Sequence, residues 1–206
     1  MITHTGALHR LLFPSLIWQM PAGKVFLTFD DGPHPTATDA VLDVLKEFGV
    51  PATFFLSGAN IPGRERIVER IEAEGHAIGI HAYHHTRMMA LSKERTKEEI
   101  RSTASLLHGI VRQPVRFFRP PFGFFSWNTI AAAREEGYYL MMWSCLTGDF
   151  SSQSDDVTVQ KSLELLDRGS ILVYHDNDLT QHKIAGILRR VIPQIQARGF
   201  SLGAIR

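Results

Sequence analysis

Short apolar runs alternate with longer amphipathic stretches along most of the chain. Seven of these runs are rich in β-branched, aromatic and other apolar residues, which is typical of strands that are buried on both faces. They cover residues 24–29, 52–56, 77–80, 115–118, 139–143, 170–174 and 200–202. We therefore predict seven strands of a buried sheet.

The intervening stretches carry apolar residues at helical spacing, and most are followed by a glycine, which commonly ends a helix. They cover residues 38–48, 64–74, 92–111, 126–136, 156–168 and 184–198. We expect the charged side chains of the third helix to face outward and Pro193 to kink the last one. Strands that alternate with helices predict an α/β domain with a parallel sheet, either an open doubly wound layer or a barrel.

The composition of the chain indicates how many domains it has and which kinds of partner and metal site it can have. The chain has 206 residues, 44% of them hydrophobic and 21% charged, which predicts one globular domain. We assign residues 24–206 to this domain and residues 1–23 to an N-terminal arm packed on it. The net charge of +1 provides no broad field that would attract nucleic acid. With Cys145 as the single cysteine, no internal disulfide can form, and a metal site would use His, Asp or Glu.

The arm contains an apolar stretch at residues 11–18, and apolar stretches near the start of a chain can be targeting or membrane segments. Pro14 interrupts the stretch, and it is far shorter than the roughly 20 residues that a membrane-spanning helix needs. One basic residue, Arg10, precedes it, and no typical cleavage site follows. We therefore expect no integral membrane segment and a cytoplasmic location. The sequence does not define an oligomeric state.

Polar residues are concentrated where the predicted strands end. Five strands are followed there by Asp, His or Arg, namely by Asp30 and Asp31, His81 to His85, Arg119, Asp149, and His175. In open parallel sheets and in barrels alike, sites lie at the carboxyl ends of the strands. These residues therefore predict one shared active site.

The pattern within this set indicates a metal centre. His81 and His85 are four residues apart, which brings two imidazoles to one side of a helical turn, and Asp31 lies at a neighbouring strand end. Two nitrogens and one carboxylate oxygen leave a coordination position open, as in catalytic zinc sites. Alternatively, Asp30 and Asp31 before Gly-Pro form a solvated turn.

The remaining polar residues suggest acid–base chemistry. Asp30 is placed to accept a proton from water, and His175, on the opposite wall, to protonate a leaving amine. Arg119 either caps a strand end or, with the prolines after it, holds its guanidinium and the Phe122 amide toward an oxyanion. These roles describe metal-assisted hydrolysis of an acyl bond, whereas His175 alone could also be a core histidine.

Four motifs in this order resemble the polysaccharide deacetylase family, which is the NodB-homology domain of carbohydrate esterase family 4. They are Thr-Phe-Asp-Asp-Gly-Pro at 28–33, His-x-x-x-His at 81–85, Arg-Pro-Pro-Phe-Gly at 119–123 and Val-Tyr-His at 173–175. The resemblance implies an α/β fold, a distorted (β/α) barrel of about seven parallel strands. It also implies a divalent metal, usually zinc, and removal of N-acetyl groups from amino sugars, as in chitin and peptidoglycan. The family is often extracytoplasmic.

Carried over motif by motif, the resemblance gives each residue a role. Asp30 corresponds to the base and His175 to the acid, and the metal ligands are Asp31, His81 and His85. Phe122 stands where the family usually has a Tyr whose amide serves the oxyanion hole. The expected partner is an N-acylated amino sugar or oligosaccharide.

Departures from the family pattern affect the loop and the substrate pocket. Ala82 replaces a Ser or Thr, which removes a hydrogen bond that fixes the loop. In the fourth motif Asp149 is kept to orient His175, but Leu146 replaces an Asp and Phe150 a Trp. We therefore expect a more apolar pocket, with Phe122, Leu146 and Phe150 contacting the substrate.

Two other functions are compatible with the sequence. Relatives of the same fold hydrolyse cyclic amides such as allantoin, and the intact Asp-Asp and His-x-x-x-His set favours the deacetylase over this alternative. A non-catalytic glycan-binding module would instead use exposed aromatic faces for stacking. Candidate stacking residues are Phe122, Phe124, Phe125, Trp127, Trp143 and Phe150.

Overall fold

The structure is a computed structural model that describes residues 7–21, 23–164 and 166–206. Residues 1–6 and 22 of the predicted arm lie outside the described residues. All paired strands run parallel and form one sheet with the order β5-β4-β3-β2-β1-β7-β6, while β8 pairs with the start of β1. The strands are β1 (Lys24–Asp30), β2 (Thr53–Leu56), β3 (Ala77–Ile80), β4 (Phe117–Phe118), β5 (Tyr139–Leu140), β6 (Cys145–Leu146), β7 (Ile171–His175) and β8 (Ser201–Gly203).

Helices connect the strands and cover the outside of the sheet. They are α1 (Ala7–Leu12), α2 (Ala37–Phe48), α3 (Glu65–Ala73), α4 (Lys93–His108), α5 (Trp127–Glu135), α6 (Asp155–Glu164) and α7 (Ile184–Ala197), with short 3-10 turns at Gly58–Asn60, Met88–Ala90 and Pro121–Gly123. All six predicted helices are present, and Pro193 lies inside α7 as expected. In the part of the chain that the structure describes, no helix has both the length and the apolarity to cross a membrane.

The sheet is curled into a barrel rather than spread as an open layer. Its two end strands, β5 and β6, are consecutive in sequence, and only residues 141–144 separate them. Five residue steps span at most about 18 Å, so the two edges of the sheet must lie close together. The predicted distorted barrel of parallel strands is confirmed. The single strand predicted at 139–143 is wrong, because the chain there crosses from one sheet edge to the other.

A segment preceding β1 lies at the gap between these two edges. Ile17 forms an isolated parallel bridge with Met141, donating its amide to Leu140 O at 3.0 Å and accepting from Met142 N at 2.7 Å. The flanking Leu16 and Trp18 are buried in the core. Ile17 therefore extends the hydrogen bonding of the β5 edge into this gap, which we call the seam.

Side chains of neighbouring strands sort into two layers because strand residues alternate in direction. Phe29 stacks between Phe54 and Tyr174, with ring centroids 5.1 and 5.8 Å apart, and the Tyr174 hydroxyl donates to Ser162 of α6. This layer packs the sheet against the helices. The alternate positions, Asp30 on β1 and His175 on β7 among them, point into the barrel, and the site is built there.

Candidate active site

The turn after β1 is held tightly from both sides. Asp31 has a left-handed backbone with φ of 84°, and its carbonyl accepts from Asn60 Nδ2 at 2.7 Å. The buried Asp176 accepts from the Gly32 amide at 3.1 Å and from the Thr38 hydroxyl at 2.5 Å. A Cβ on Gly32 would lie 2.3 Å from Asp176 Oδ2, so only glycine fits here. The turn therefore fixes the direction of the Asp31 carboxylate.

Asp31, His81 and His85 lie close together. Asp31 Oδ1 is 3.1 Å from Nε2 of His85 and 3.5 Å from Nε2 of His81, and the three candidate ligand atoms all lie within 4.8 Å of one another. The expectation that Asp31 and His81 follow neighbouring strands is wrong, because β2 lies between β1 and β3. The curl of the sheet turns the ends of these strands toward a common point.

The chemistry of these three side chains fits a divalent cation. His81 Nδ1 donates to Arg119 O at 2.8 Å, which leaves a lone pair on Nε2 facing Asp31. Asp31 Oδ1 is buried and has no hydrogen-bond partner among the described residues. Its other oxygen accepts from Asn177 Nδ2 at 2.6 Å, so Oδ1 is the one directed at the imidazoles. A possible Asp/His metal site is therefore present.

The ionisation of Asp31 suits such a site. Burial raises the pKa of this carboxyl, but the nearby imidazoles of His81 and His85 outweigh burial and lower the pKa below its ordinary value. The positive charge of His175 acts in the same direction. Asp31 is therefore an anion at neutral pH, as a metal ligand requires.

Asp30 is held by a buried arginine. Arg119 Nη1 donates to Asp30 Oδ1 at 2.7 Å and to Thr28 Oγ1 at 2.7 Å, and its Nη2 donates to Met142 O at 3.0 Å. The guanidinium lies 4.0 Å from the centroid of the Phe55 ring, and the side chain has no exposed surface. Arg119 therefore lies behind the pocket and contacts it through Asp30.

His175 is held by a second buried carboxylate. Asp149 accepts from His175 Nδ1 at 2.9 Å and from the His175 amide at 2.7 Å. Burial lowers the pKa of His175, but the charge and hydrogen bond of Asp149 outweigh it and raise the pKa to about 9. The expectation that His175 lies on the wall opposite Asp30 is wrong. Strands β1 and β7 are neighbours with Asp30 and His175 in register, which places both side chains on the same side of the sheet.

The turn after β4 brings Phe122 beside the metal-site residues. Phe122 has a left-handed backbone with φ of 59°, and its ring centroid lies 4.3 Å from that of His85. A Cβ on Gly123 would lie 2.2 Å from the Trp143 ring, so the turn packs directly against this indole. The first amides of such a turn have no partner within it, which leaves the Phe122 amide available to a ligand.

A pocket of about 310 Å³ joins these elements. Of the ten residues predicted to form the deacetylase site, the structure brings eight into its lining: Asp30, Asp31, His81, His85, Phe122, Leu146, Phe150 and His175. The other two, Arg119 and Asp149, are fully buried behind Asp30 and His175. Trp143, Val173 and Leu179 add to the apolar surface, and the Phe150 ring lies 4.9 Å from that of His175.

Sequence reasoning missed two polar residues next to the metal site. Asn177, two residues after His175, lines the pocket and contacts Asp31. Glu99 was expected to face outward with the other charges of its helix, but only 4% of it is exposed. A signal was available, because Glu99 is three residues from the buried Thr96 and four from the buried Thr103, on the same face of α4.

Comparisons with known proteins show what this chain is similar to in sequence and in fold. The family model for polysaccharide deacetylases matches residues 19–141. A peptidoglycan-N-acetylglucosamine deacetylase of Bacillus cereus is 34% identical over 178 residues, which are 85% of this chain, and the chain spans 64% of that relative's length. A chitooligosaccharide deacetylase of Sinorhizobium fredii is 31% identical over 195 residues, 89% of this chain and 91% of the relative.

A solved structure shows the same fold. It is that of the Bc1960 peptidoglycan N-acetylglucosamine deacetylase in complex with 4-naphthalen-1-yl-N-oxidanyl-benzamide. It superimposes with a TM-score of 0.88 at 31% sequence identity, covering 93% of this chain and 91% of the other.

Proposed function

Because this chain is an enzyme of the polysaccharide deacetylase family, we propose that it hydrolyses N-acetyl groups of N-acetylglucosamine units in chitin- or peptidoglycan-type glycans. The observation that carries this proposal is the convergence of Asp30, Asp31, His81, His85 and His175 on one pocket. The substrates named for the relatives are of the same chemical class.

Asp31, His81 and His85 would hold a divalent ion, and zinc suits a donor set of two imidazoles and one carboxylate. Such an ion supplies Lewis-acid activation of water and of the amide carbonyl. The support is the buried Oδ1 of Asp31, the Nε2 lone pair of His81 and the position of His85 beside both.

Asp30 is the proposed general base, which takes a proton from the attacking water. Its Oδ1 is occupied by Arg119, which restrains the carboxylate and leaves Oδ2 to face the pocket. Arg119 is a positioning residue in this scheme, because it is fully buried and acts through Asp30.

His175 is the proposed general acid. Asp149 accepts from Nδ1, so the proton on Nε2 is directed into the pocket, where a leaving amine can take it. The charge and hydrogen bond of Asp149 raise the pKa of His175 and so favour the protonated ring that this role requires. The Phe122 amide, beside the metal-site residues, is the proposed donor to the oxyanion.

The apolar lining sets the proposed substrate range. Leu146 and Phe150 stand beside Trp143 and Val173, so acyl-amines that are short or less polar fit better than long polymers. We expect faster release of acetate from a short N-acetylated oligosaccharide than from polymeric chitin. Comparable rates on the two substrates would contradict this substrate range.

Acetate release from chitooligosaccharides, measured together with the metal content of the purified protein, tests the function. We expect about one divalent ion per chain and acetate release that stops after chelation and returns on adding zinc. The Asp30→Asn variant serves as the inactive control. Ring opening of allantoin without any acetate release, or binding of the glycan without turnover, would overturn the proposal.

A further inference from the structure

The loop at residues 81–85 carries both imidazoles of the proposed metal site. Ala82 within it has a left-handed backbone with φ of 62°, which costs energy for any residue with a Cβ. The surrounding structure must therefore hold this loop in place. Two amides of the 3-10 turn at Gly58–Asn60 do so from one side, with Gly58 N donating to Ala82 O and Ala59 N donating to Tyr83 O, both at 2.9 Å.

The other side of the loop is held by one side chain from α4. Glu99 Oε2 accepts from the amides of Tyr83 and His84, at 3.1 and 2.7 Å. Glu99 Oε1 lies 3.0 Å from His84 Nδ1. Carbonyls of the loop thus bond to the turn and its amides bond to the carboxylate.

We propose that Glu99 is a positioning residue for metal binding, which holds the loop so that His81 and His85 both face Asp31. It takes the place of the loop-fixing hydrogen bond that is lost with Ala82. This inference rests on the proposed metal site.

The contacts explain why a carboxylate suits this position. A single oxygen, Oε2, receives two consecutive backbone amides, which fixes the two peptides on either side of Tyr83, between His81 and His85. The second oxygen holds the His84 ring, whose side chain is 60% exposed, away from the pocket. Glu99 thereby prevents His84 from competing with its neighbours as a ligand.

Zinc affinity of the metal-free protein, measured by competition with a chromophoric chelator, tests this role. Loss of a direct partner of a metal ligand typically costs about 10–100-fold in affinity, and Glu99 acts through the loop instead, so we expect the lower end, about tenfold, for Glu99→Ala. Glu99→Gln keeps a carbonyl oxygen for the two amides and should bind within about threefold of the unmodified protein. Glu98→Ala is the matched control, since Glu98 is exposed on the same helix and pairs with the same Arg95.

The variants separate this role from general stabilisation. For Glu99→Ala, excess zinc should restore most of the turnover, because the chemistry of Asp30 and His175 is intact. If Glu99→Ala does not fold, Glu99→Asp decides, because it keeps the charge but draws the oxygens back by one methylene and should also bind weakly.

Unchanged zinc affinity in Glu99→Ala, or in Glu99→Asp where the alanine variant does not fold, overturns the inference while leaving the proposed function standing. Failure of the unmodified protein to bind zinc or another divalent ion overturns both.

Discussion

Replacing Asp149 by asparagine should lower the pH at which the enzyme loses amide hydrolysis. Burial lowers the pKa of His175, but Asp149, with smaller contributions from Asp31 and Asp30, outweighs burial and raises the pKa from 6.5 to about 9. At about 1.4 kcal/mol per pKa unit, this favours the protonated ring by about 3 kcal/mol. Without the carboxylate of Asp149, burial still lowers the pKa of His175 and only the smaller effects of Asp31 and Asp30 raise it, so the pKa falls. At a pH above the lowered pKa, each further unit of fall costs about tenfold in the protonated share of His175.

The assay is turnover of a short chitooligosaccharide between pH 6 and 10, beside turnover of an activated acetate ester. In the unmodified protein the alkaline limb should lie between pH 6.5 and 9, because a cation at Asp31 partly offsets the carboxylates that raise the His175 pKa. Asp149→Asn should move this limb to lower pH and reduce amide hydrolysis on the alkaline side by about tenfold for each pKa unit that His175 loses. The rate of ester hydrolysis should fall less in this variant, since the leaving group of the activated ester needs no proton.

Two controls accompany this prediction. Asp43→Asn changes an exposed carboxylate that pairs with Arg70 far from the pocket, and its pH profile should match that of the unmodified protein. The melting temperature of Asp149→Asn should fall, because an amide nitrogen then faces an N–H of His175 and a buried donor loses its partner, at about 1–3 kcal/mol. An alkaline limb that stays in place in a folded Asp149→Asn protein would refute the assignment of His175 as the acid.

Three further predictions follow from other contacts. Asp30→Asn should keep its metal, as metal analysis would show, but lose several orders of magnitude in turnover. Near-normal turnover would contradict the role of Asp30. The unfolding free energy of this variant, measured in urea, should fall by up to about 3–5 kcal/mol because the Arg119 charge loses its buried partner. Gly32→Ala should cost about 1–3 kcal/mol of stability and weaken metal binding, since the new Cβ would lie 2.3 Å from Asp176 Oδ2; an unchanged melting temperature would show that the turn can yield. Burial lowers the pKa of His76 from 6.5 to about 4, so the unfolded chain binds a proton at a higher pH than the folded chain does. The unfolding free energy should therefore fall by about 3 kcal/mol as the pH drops from 6.5 to 4. In His76→Gln, whose amide oxygen can still accept from Ala52 N, urea unfolding should show a fall that is smaller by this amount.

The sequence predicts the parallel sheet and the pocket because both depend on local patterns, whereas the barrel was implied by the family resemblance. Apolar runs between amphipathic helices require a parallel sheet, and parallel strands bring the residues after them to one end. Asp30, His81 and His175 could therefore be assigned to one site without knowing the order of the strands. That order depends on packing, which is why His175 was expected opposite Asp30 and lies beside it.

The features that the sequence did not reveal are long-range polar contacts. Glu99 belongs to a helix with many exposed charges, and nothing in its neighbours along the chain indicates that it meets two amides of another loop. For Arg119 the sequence predicts either a strand-end cap or a guanidinium that faces an oxyanion. In the structure its guanidinium crosses the barrel interior to Asp30 and Met142. Such contacts join residues that are far apart in sequence, so periodicity does not report them.

The seam has a consequence for how this chain can be shortened or fused. Leu140 O and Met142 N, which Ile17 satisfies, lie at the β5 edge of the sheet. A fragment that starts at β1 would leave these groups unpaired, and an unpaired strand edge is a template for association with another chain. Residues 16–18 thus cover a strand edge that could otherwise pair with another chain, so a tag or fusion partner belongs upstream of residue 16.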